Sequence, residues 1–274
     1  MSAEPLVLIR DVNGVRTLTM NLPRRLNGWT EAMMRAKAEA LAAAAADDGV
    51  KAVILTGAGD YYSAGVNLGG TIKLQAPKAL HAFIVEHNEA LFRRFIEFPK
   101  PILVAVNGPA IGASVTSATL CDGLIASEAA TFSTPFAKLG VAREGCSSVY
   151  FARLMGAEAA ERMLGAEGWV PTGAEAAEIG LAQEVVAPGA LLDRAQAIAE
   201  GWIAEGRARS YRAGATAEEL IAVNAEESVR VADSFLSPTF LNGQFEFLWS
   251  RKKRGPALVF KALTLTHPVW KRFL

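Results

Sequence analysis

The sequence predicts an α/β fold built on parallel strands, because two apolar runs each lead into a turn of small residues. Lys51–Thr56 precedes a glycine- and alanine-rich turn, and Pro101–Val106 precedes a second one. Continuous apolar runs are typical of strands buried on both faces. Helices expected after such turns would present free N–H groups, which suit a developing oxyanion. Two neighbouring turns of this kind predict an oxyanion hole made from backbone.

The remaining elements are predicted from turn signals, capping residues and periodicity. Asn13-Gly14 indicates a hairpin turn, and Thr30 is a suitable N-cap for an alanine-rich helix. The apolar runs flank a helical segment, which predicts a βαβ unit. In chain order, the expected elements are strands Leu6–Ile9 and Val15–Met20, helix Thr30–Asp48, strand Ala52–Thr56, helix Lys78–Glu97, strand Ile102–Val106, helix Ala113–Leu120, strands Gly123–Ala126 and Thr131–Ser133, a mainly helical stretch from Ser147, and strand Gln183–Val186.

The composition changes near Pro188, so we expect a core over residues 1–187 and a helical region over 188–274. Helices are expected at about Ala190–Gly206 and Ala217–Val231. The aromatic tail that follows must pack on something, either the body of the chain or another subunit, and we expect it to cover the site and to join subunits. The basic run Arg251–Arg254 is interpreted as a solvated helix face, with an anchor for a ligand phosphate as the alternative.

Charge, cysteines and hydropathy exclude several classes of protein. Lys and Arg together number 28, as do Asp and Glu, so bulk charge gives no reason to expect nucleic acid or an anionic membrane as a partner. Cys121 and Cys146 are expected to be reduced, packed thiols of a cytoplasmic protein. The N-terminus is unlike a signal peptide, and no apolar run approaches the roughly 20 residues of a membrane-spanning helix.

Three segments resemble the crotonase (enoyl-CoA hydratase/isomerase) superfamily over essentially the whole chain. They are Tyr62–Leu68, Val106–Ala113 and Pro171–Leu181, and their order and spacing carry the resemblance. The resemblance implies a core of repeated ββα units with a helical C-terminal region, assembled as homotrimers or hexamers. It also implies acyl-CoA thioesters as the substrate class and a place in fatty acid β-oxidation.

The resemblance assigns roles to residues of the two turns. It implies that the N–H groups of Val66 and Ala113 are the oxyanion-hole donors. Val66 is bulkier than the residue common in the family, which would narrow the acyl slot without removing a donor. The residues that the resemblance places against the substrate are Ala64, Gly65, Asn67, Leu68, Gly112, Phe136 and Leu139.

The chain lacks the two glutamates of the family's hydratases. The matching positions hold Thr116 and Phe136. Neither side chain can act as a general base toward water at neutral pH. The sequence therefore disfavours hydration by two carboxylates.

Glu144 is the candidate catalytic base. The segment from Ala130 to Gly140, with Glu144-Gly-Cys-Ser-Ser148, resembles the peroxisomal type of 3-enoyl-CoA to 2-enoyl-CoA isomerase, whose base is the Glu of the Glu-Gly pair. Taken alone, a Glu beside Gly is usually a solvated surface residue. The apolar neighbours of Glu144 predict partial desolvation, which would raise its pKa toward a value useful for proton transfer.

Three interpretations follow from these residues. The first is an isomerase with Glu144 as the base. The second is a hydratase or another crotonase-type lyase with catalytic groups elsewhere, and the third is a crotonase-fold binding protein without activity. No metal or redox cofactor is expected, because His81, His87 and His267 are scattered and are interpreted as surface or packing residues.

Overall fold

The computed structural model describes residues 4–66 and 76–274 and has an α/β fold with a six-stranded, mainly parallel sheet and a two-stranded parallel sheet. The strands are Val7–Val12 (β1), Val15–Met20 (β2), Ala52–Gly57 (β3), Ile102–Val106 (β4), Ala110–Ile111 (β5), Gly123–Ser127 (β6), Phe132–Ser133 (β7) and Glu184–Val186 (β8). The main sheet has the order β1-β2-β3-β4-β6-β8, and β5 pairs with β7. Among the described strands, β1 and β2 pair antiparallel, as the predicted hairpin, and the other pairs are parallel.

The helices surround this sheet and continue to the C-terminus. They are Glu31–Ala46 (α1), Pro77–Ile96 (α2), Ala113–Thr119 (α3), Phe136–Leu139 (α4), Ser147–Met155 (α5), Ala157–Leu164 (α6), Gly173–Glu178 (α7), Leu191–Ala204 (α8), Ala217–Phe235 (α9), Pro238–Ser250 (α10) and Arg254–Trp270 (α11). Thr30 is the predicted N-cap of α1, and its hydroxyl accepts a hydrogen bond from the Met33 N–H at 3.2 Å. That bond satisfies one of the N–H groups that a helix start leaves free.

The two faces of the sheet bury different clusters. Val53 and Leu55 of β3 pack in the larger cluster, whereas Ala52 and Ile54 face the opposite side, where α8 covers the sheet with residues such as Trp202. This alternation is why β3 and β4 are apolar at nearly every position, as strands buried on both faces must be. The division of the chain at residue 187 stays a prediction, although α8, which follows it, packs directly on the sheet.

The last three helices carry the aromatic residues of the tail. Within them, Phe235 of α9 stacks on Phe240 of α10 with ring centroids 4.7 Å apart. Leu265 and Val269 of α11 are 71% and 64% exposed. The basic run is exposed, as predicted, but Arg251–Lys253 form the turn between α10 and α11 and not a helix face. Lys252 has a positive φ of 60°, and Arg254 begins α11. None of the described helices is long and apolar enough to span a membrane.

Candidate active site

Hydrogen bonds join the two small-residue turns after β3 and β4. The Ile111 N–H donates to the Ser63 carbonyl at 3.0 Å, and the Ser63 N–H donates to the Pro109 carbonyl at 3.2 Å. The buried hydroxyl of Ser114 lies 3.1 Å from the same Ser63 carbonyl. The turns that the sequence predicted on neighbouring strands therefore lie against each other.

A glycine makes this close approach of the two backbones possible. Gly65 has a positive φ of 72°, and a Cβ atom at this position would lie 2.3 Å from the Ile111 carbonyl oxygen and 3.7 Å from the Ala113 nitrogen. Any side chain here would overlap the second turn. Gly65 therefore sets the distance between the two backbones behind the site.

The two N–H groups predicted as oxyanion donors have no acceptor among residues 4–66 and 76–274. Ala113 is the first residue of α3, so its N–H has no partner within the helix. The N–H of Val66 follows Gly65, whose carbonyl accepts from the Trp29 N–H at 2.8 Å. Both groups remain able to donate to a ligand oxygen.

The loop between α4 and α5 carries Glu144. Gly145 and Cys146 directly after it both have φ of 64°, a left-handed conformation that is unusual for the non-glycine Cys146. The buried carboxylate of Glu227 on α9 accepts from the Cys146 N–H at 2.6 Å and from the Ser148 N–H at 2.8 Å. These bonds hold the turn in the conformation that presents Glu144.

Glu144 is buried, with only 9% of its surface exposed. Burial raises the pKa of its carboxyl from 4.5 to about 7, the nearby charge of Glu227 adds to this rise, and a hydrogen bond from Asn88 opposes it. The predicted desolvation is confirmed. A carboxyl with this pKa is ionised in a large fraction of molecules at neutral pH and can also hold a proton.

A chain of amide and hydroxyl groups orients the carboxylate of Glu144. The Asn88 Nδ2 of α2 donates to Glu144 Oε2 at 2.7 Å. The Oδ1 atom of the same amide lies 2.9 Å from the hydroxyl of Ser228, whose oxygen is also 2.7 Å from the Asn224 carbonyl. Because Ser228 can donate to Oδ1, the amide keeps its NH₂ group toward Glu144.

One apolar cavity of about 150 Å³ brings the predicted site residues together. Both proposed donors, Val66 and Ala113, line it with the candidate base Glu144. The other predicted residues in its wall are Ala64, Gly112, Phe136 and Leu139. Gly65 lies behind the wall, and Asn67 and Leu68 lie outside the described residues.

Thr116 and Phe136 occupy the two positions where hydratases of the family have glutamates, and each packs against other parts of the site. Thr116 is fully buried, and a Cβ atom on Gly145 would lie 2.6 Å from its hydroxyl oxygen. The turn after Glu144 therefore packs directly on the Thr116 side chain. Phe136 contributes an aromatic wall to the cavity. At these two positions the cavity has no carboxylate.

Sequence reasoning missed the polar residues that helices α2 and α9 supply. Asn88 lies on the α2 face that also carries the buried residues Leu80, Ile84 and Leu91, at spacings of three or four. Glu227 and Ser228 similarly lie between the buried residues Leu220 and Val231 of α9. A polar residue that interrupts an apolar helical stripe was the available signal.

The histidines and cysteines show no sign of a metal centre in the described parts of the chain. Three or more His, Cys, Asp or Glu side chains do not converge anywhere within those parts. His87 packs on Phe83, as predicted, and it also lines the cavity, which the sequence did not indicate. Burial lowers the pKa of His87 and raises the pKa of the Cys146 thiol, so both favour their neutral forms.

Comparisons with known proteins agree with this architecture. The enoyl-CoA hydratase/isomerase family matches residues 10–242. The chain therefore belongs to that family. A crystal structure of an enoyl-CoA hydratase/isomerase from Pseudoalteromonas atlantica T6c superposes with a TM-score of 0.73 and 27% identity, covering 90% of this chain and 97% of that one.

Two similar proteins are enoyl-CoA delta isomerases. Enoyl-CoA delta isomerase 2 of Homo sapiens is 39% identical over 183 residues, 65% of this chain and 45% of that protein. Enoyl-CoA delta isomerase 3, peroxisomal, of Mus musculus is 36% identical over 167 residues, 58% of this chain and 50% of that protein. The chain spans about half the length of these relatives.

Proposed function

We propose that the chain is an isomerase that moves the double bond of 3-enoyl-CoA thioesters to the 2-position. The observation that carries this proposal is the buried carboxylate of Glu144, the one carboxylate among the described residues that line the apolar cavity with Val66 and Ala113. A carboxylate that shares a cavity with two N–H groups lacking an acceptor among the described residues suits proton transfer beside a thioester carbonyl. The similarity to two enoyl-CoA delta isomerases supports the same reaction.

In the proposed mechanism, Glu144 removes a proton from C2 of the thioester. The electron pair moves into the carbonyl, and the resulting dienolate oxygen accepts hydrogen bonds from Val66 and Ala113. Each donor of this type contributes roughly 3 kcal/mol of transition-state stabilisation. Protonated Glu144 then returns the proton to C4, where the electron pair of the 3,4 double bond forms the new C4–H bond. The oxyanion re-forms the carbonyl, and the C1–C2 π pair of the dienolate becomes the 2,3 double bond. The reaction has no net proton change and consumes no water.

Asn88 has a positioning role in this mechanism. Its Nδ2 donates to one oxygen of Glu144, so the other oxygen stays available to the substrate. The same bond stabilises the ionised carboxylate against the effect of burial. The opposing effects keep the pKa of Glu144 near neutrality, where a single group can serve as base and then as acid.

We propose an acyl-CoA thioester as the ligand, with coenzyme A as part of the substrate and no further cofactor. An adjoining cavity of about 1170 Å³ shares Val66, Ile84, Leu139 and Phe235 with the cavity at Glu144. Lys138 and Lys253 line this second cavity. Its size and its two cations suit a large ligand that carries phosphates.

We also propose that the protein works in the cytoplasm, in fatty acid β-oxidation, as a homotrimer or a hexamer. The exposed apolar side chains of α11, among them Leu265 and Val269, support assembly, because a second copy would remove them from water. Light scattering after size exclusion measures the number of subunits, and a monomer would count against this assembly.

The reaction is tested by offering the pure protein two substrates in parallel, 3-hexenoyl-CoA and crotonyl-CoA. We expect conversion of 3-hexenoyl-CoA to the 2-enoyl isomer and negligible addition of water to crotonyl-CoA. The physical reason is that Thr116 and Phe136 leave no second carboxylate to activate water. Chromatography and mass spectrometry identify both products. A hydration rate equal to the isomerisation rate would refute the proposal and favour a hydratase.

A further inference from the structure

Glu227 is a buried carboxylate next to the candidate base that the mechanism above leaves without a role. It is 1% exposed, and both of its oxygens accept backbone hydrogen bonds from the turn after Glu144. No ion-pair partner lies within 4.0 Å of it among the described residues. Burial raises the pKa of its carboxyl, and hydrogen bonds from Ser148 and Cys146 oppose this rise, so the position of this carboxylate calls for an explanation.

The backbone that Glu227 holds is conformationally unfavourable by itself. Cys146 has a left-handed conformation, which costs L-residues with a Cβ atom roughly 1–2 kcal/mol. The Cys146 N–H and the Ser148 N–H, at the start of α5, both point to the carboxylate of Glu227. A negative charge at a helix N-terminus is favourable, so Glu227 stabilises both the turn and the start of α5.

Glu227 and its neighbour Ser228 reach Glu144 by two separate routes. Glu227 binds the backbone of the loop that carries Glu144, and Ser228 contacts Asn88, whose amide binds the Glu144 carboxylate. Two adjacent residues of α9 thus constrain both the main chain and the side chain of the candidate base.

We propose that Glu227 is a positioning residue for Glu144, which fixes the turn that presents the base and places a second negative charge beside it. This inference rests on the proposed isomerase function. The charge of Glu227 raises the pKa of Glu144, so it disfavours the ionised base and strengthens it as a proton acceptor. The other titratable groups around Glu227 are the Cys146 thiol on the same loop and Arg230 on its own helix, and Arg230 pairs with Glu226 at the surface.

The test is the pH dependence of kcat/KM for isomerisation in Glu227→Gln. The amide keeps one acceptor oxygen but loses the charge. We expect the acid limb of the plot of kcat/KM against pH, where activity falls as Glu144 is protonated, to move to lower pH by on the order of half a pH unit. The reason is that ionised Glu144 no longer faces a like charge. We expect kcat on the plateau to fall about tenfold, because the turn is held less firmly. A residue with only a structural role would lower the melting temperature and leave both the acid limb and the plateau kcat of the folded protein unchanged.

Glu226→Gln is the matched control, since it makes the same chemical change one residue away on the exposed face of α9. Its acid limb and kcat should equal those of the wild type. Glu227→Asp keeps the charge and shortens the side chain, so its acid limb should stay in place while kcat falls. This variant carries the test if Glu227→Gln does not fold.

The outcomes separate this inference from the proposed function. An unmoved acid limb in folded Glu227→Gln, or a wild-type kcat in Glu227→Asp, overturns the role of Glu227 alone. A wild-type protein that isomerises no 3-enoyl-CoA overturns the proposed function itself, before any variant is compared.

Discussion

Replacing Glu144 with glutamine is expected to reduce kcat for 3-enoyl-CoA isomerisation by on the order of 10³-fold. The amide has the shape of the carboxyl and can still accept the hydrogen bond from Asn88 Nδ2. It cannot take a proton from C2 and return it to C4. Binding of a CoA thioester should be nearly unchanged, because the substitution removes only the proton carrier. Steady-state kinetics and calorimetric titration with a non-reactive thioester measure the two effects separately.

The same substitution should make the fold more stable at alkaline pH. The pKa of Glu144 is about 7 in the folded protein and 4.5 as its ordinary value, so between these values the folded chain holds a proton that the unfolded chain releases. Wild-type stability therefore falls as the pH rises through this window, and the full cost, about 3 kcal/mol, is present above it. Urea unfolding at pH 5 and pH 8 measures this change.

The test of Glu144 needs a control variant and a stated result that would contradict its role as the base. Glu128→Gln removes an exposed carboxylate that does not line the cavity and should leave kcat unchanged. If Glu144→Gln folds and turns over substrate at close to the wild-type rate, Glu144 is not the base.

Replacing Ala113 with proline is expected to lower kcat by about 10²- to 10³-fold with a small change in KM. Proline deletes the N–H that we assign to the oxyanion hole, and this hydrogen bond strengthens as negative charge develops on the thioester oxygen. The backbone should tolerate the change, because Ala113 is the first residue of α3, a position that proline favours in helices.

Ala157→Pro is the matched control for the loss of a helical N–H. Ala157 is the first residue of α6 and follows Gly156, which has a positive φ as Gly112 has. It is exposed and does not line the cavity. Circular dichroism should show both variants folded, and only Ala113→Pro should lose activity. Undiminished kcat in folded Ala113→Pro would remove this N–H from the oxyanion hole.

The central elements of the fold were predictable because their local sequence signals, such as apolar strands and a capping residue, match the environment that the folded structure gives them. β3 and β4 are apolar at nearly every position, which only strands covered on both faces require. Thr30 has the side chain that a helix start needs, and the structure uses it as a cap. The turn at Arg251–Lys253 was missed because no glycine or proline lies within it; the nearest such signal, Gly255-Pro256, follows at the start of α11. Lys252 nevertheless adopts a left-handed conformation between α10 and α11.

Some residues of the candidate site could likewise be predicted from the sequence, and others could not. The turns that carry Val66 and Ala113 follow directly from two strands, so local pattern located them, and resemblance to a family located Glu144. Asn88 and Glu227 come from helices far away in the chain, and only the packing of α2 and α9 brings them to the loop. The sequence shows each as a polar residue on an apolar stripe, without showing which group it meets.

Transfer of a deuterium label tests most directly whether Glu144 alone carries the proton. The substrate is a 3-enoyl-CoA with deuterium at both C2 positions, converted in ordinary water. Glu144 is buried in an apolar cavity, so its newly acquired deuteron is shielded from exchange with solvent. We expect part of the 2-enoyl product to carry the label at C4, as measured by mass spectrometry and NMR. A product whose C4 hydrogen comes entirely from solvent, formed at full turnover, would contradict a single carboxylate that moves one proton from C2 to C4.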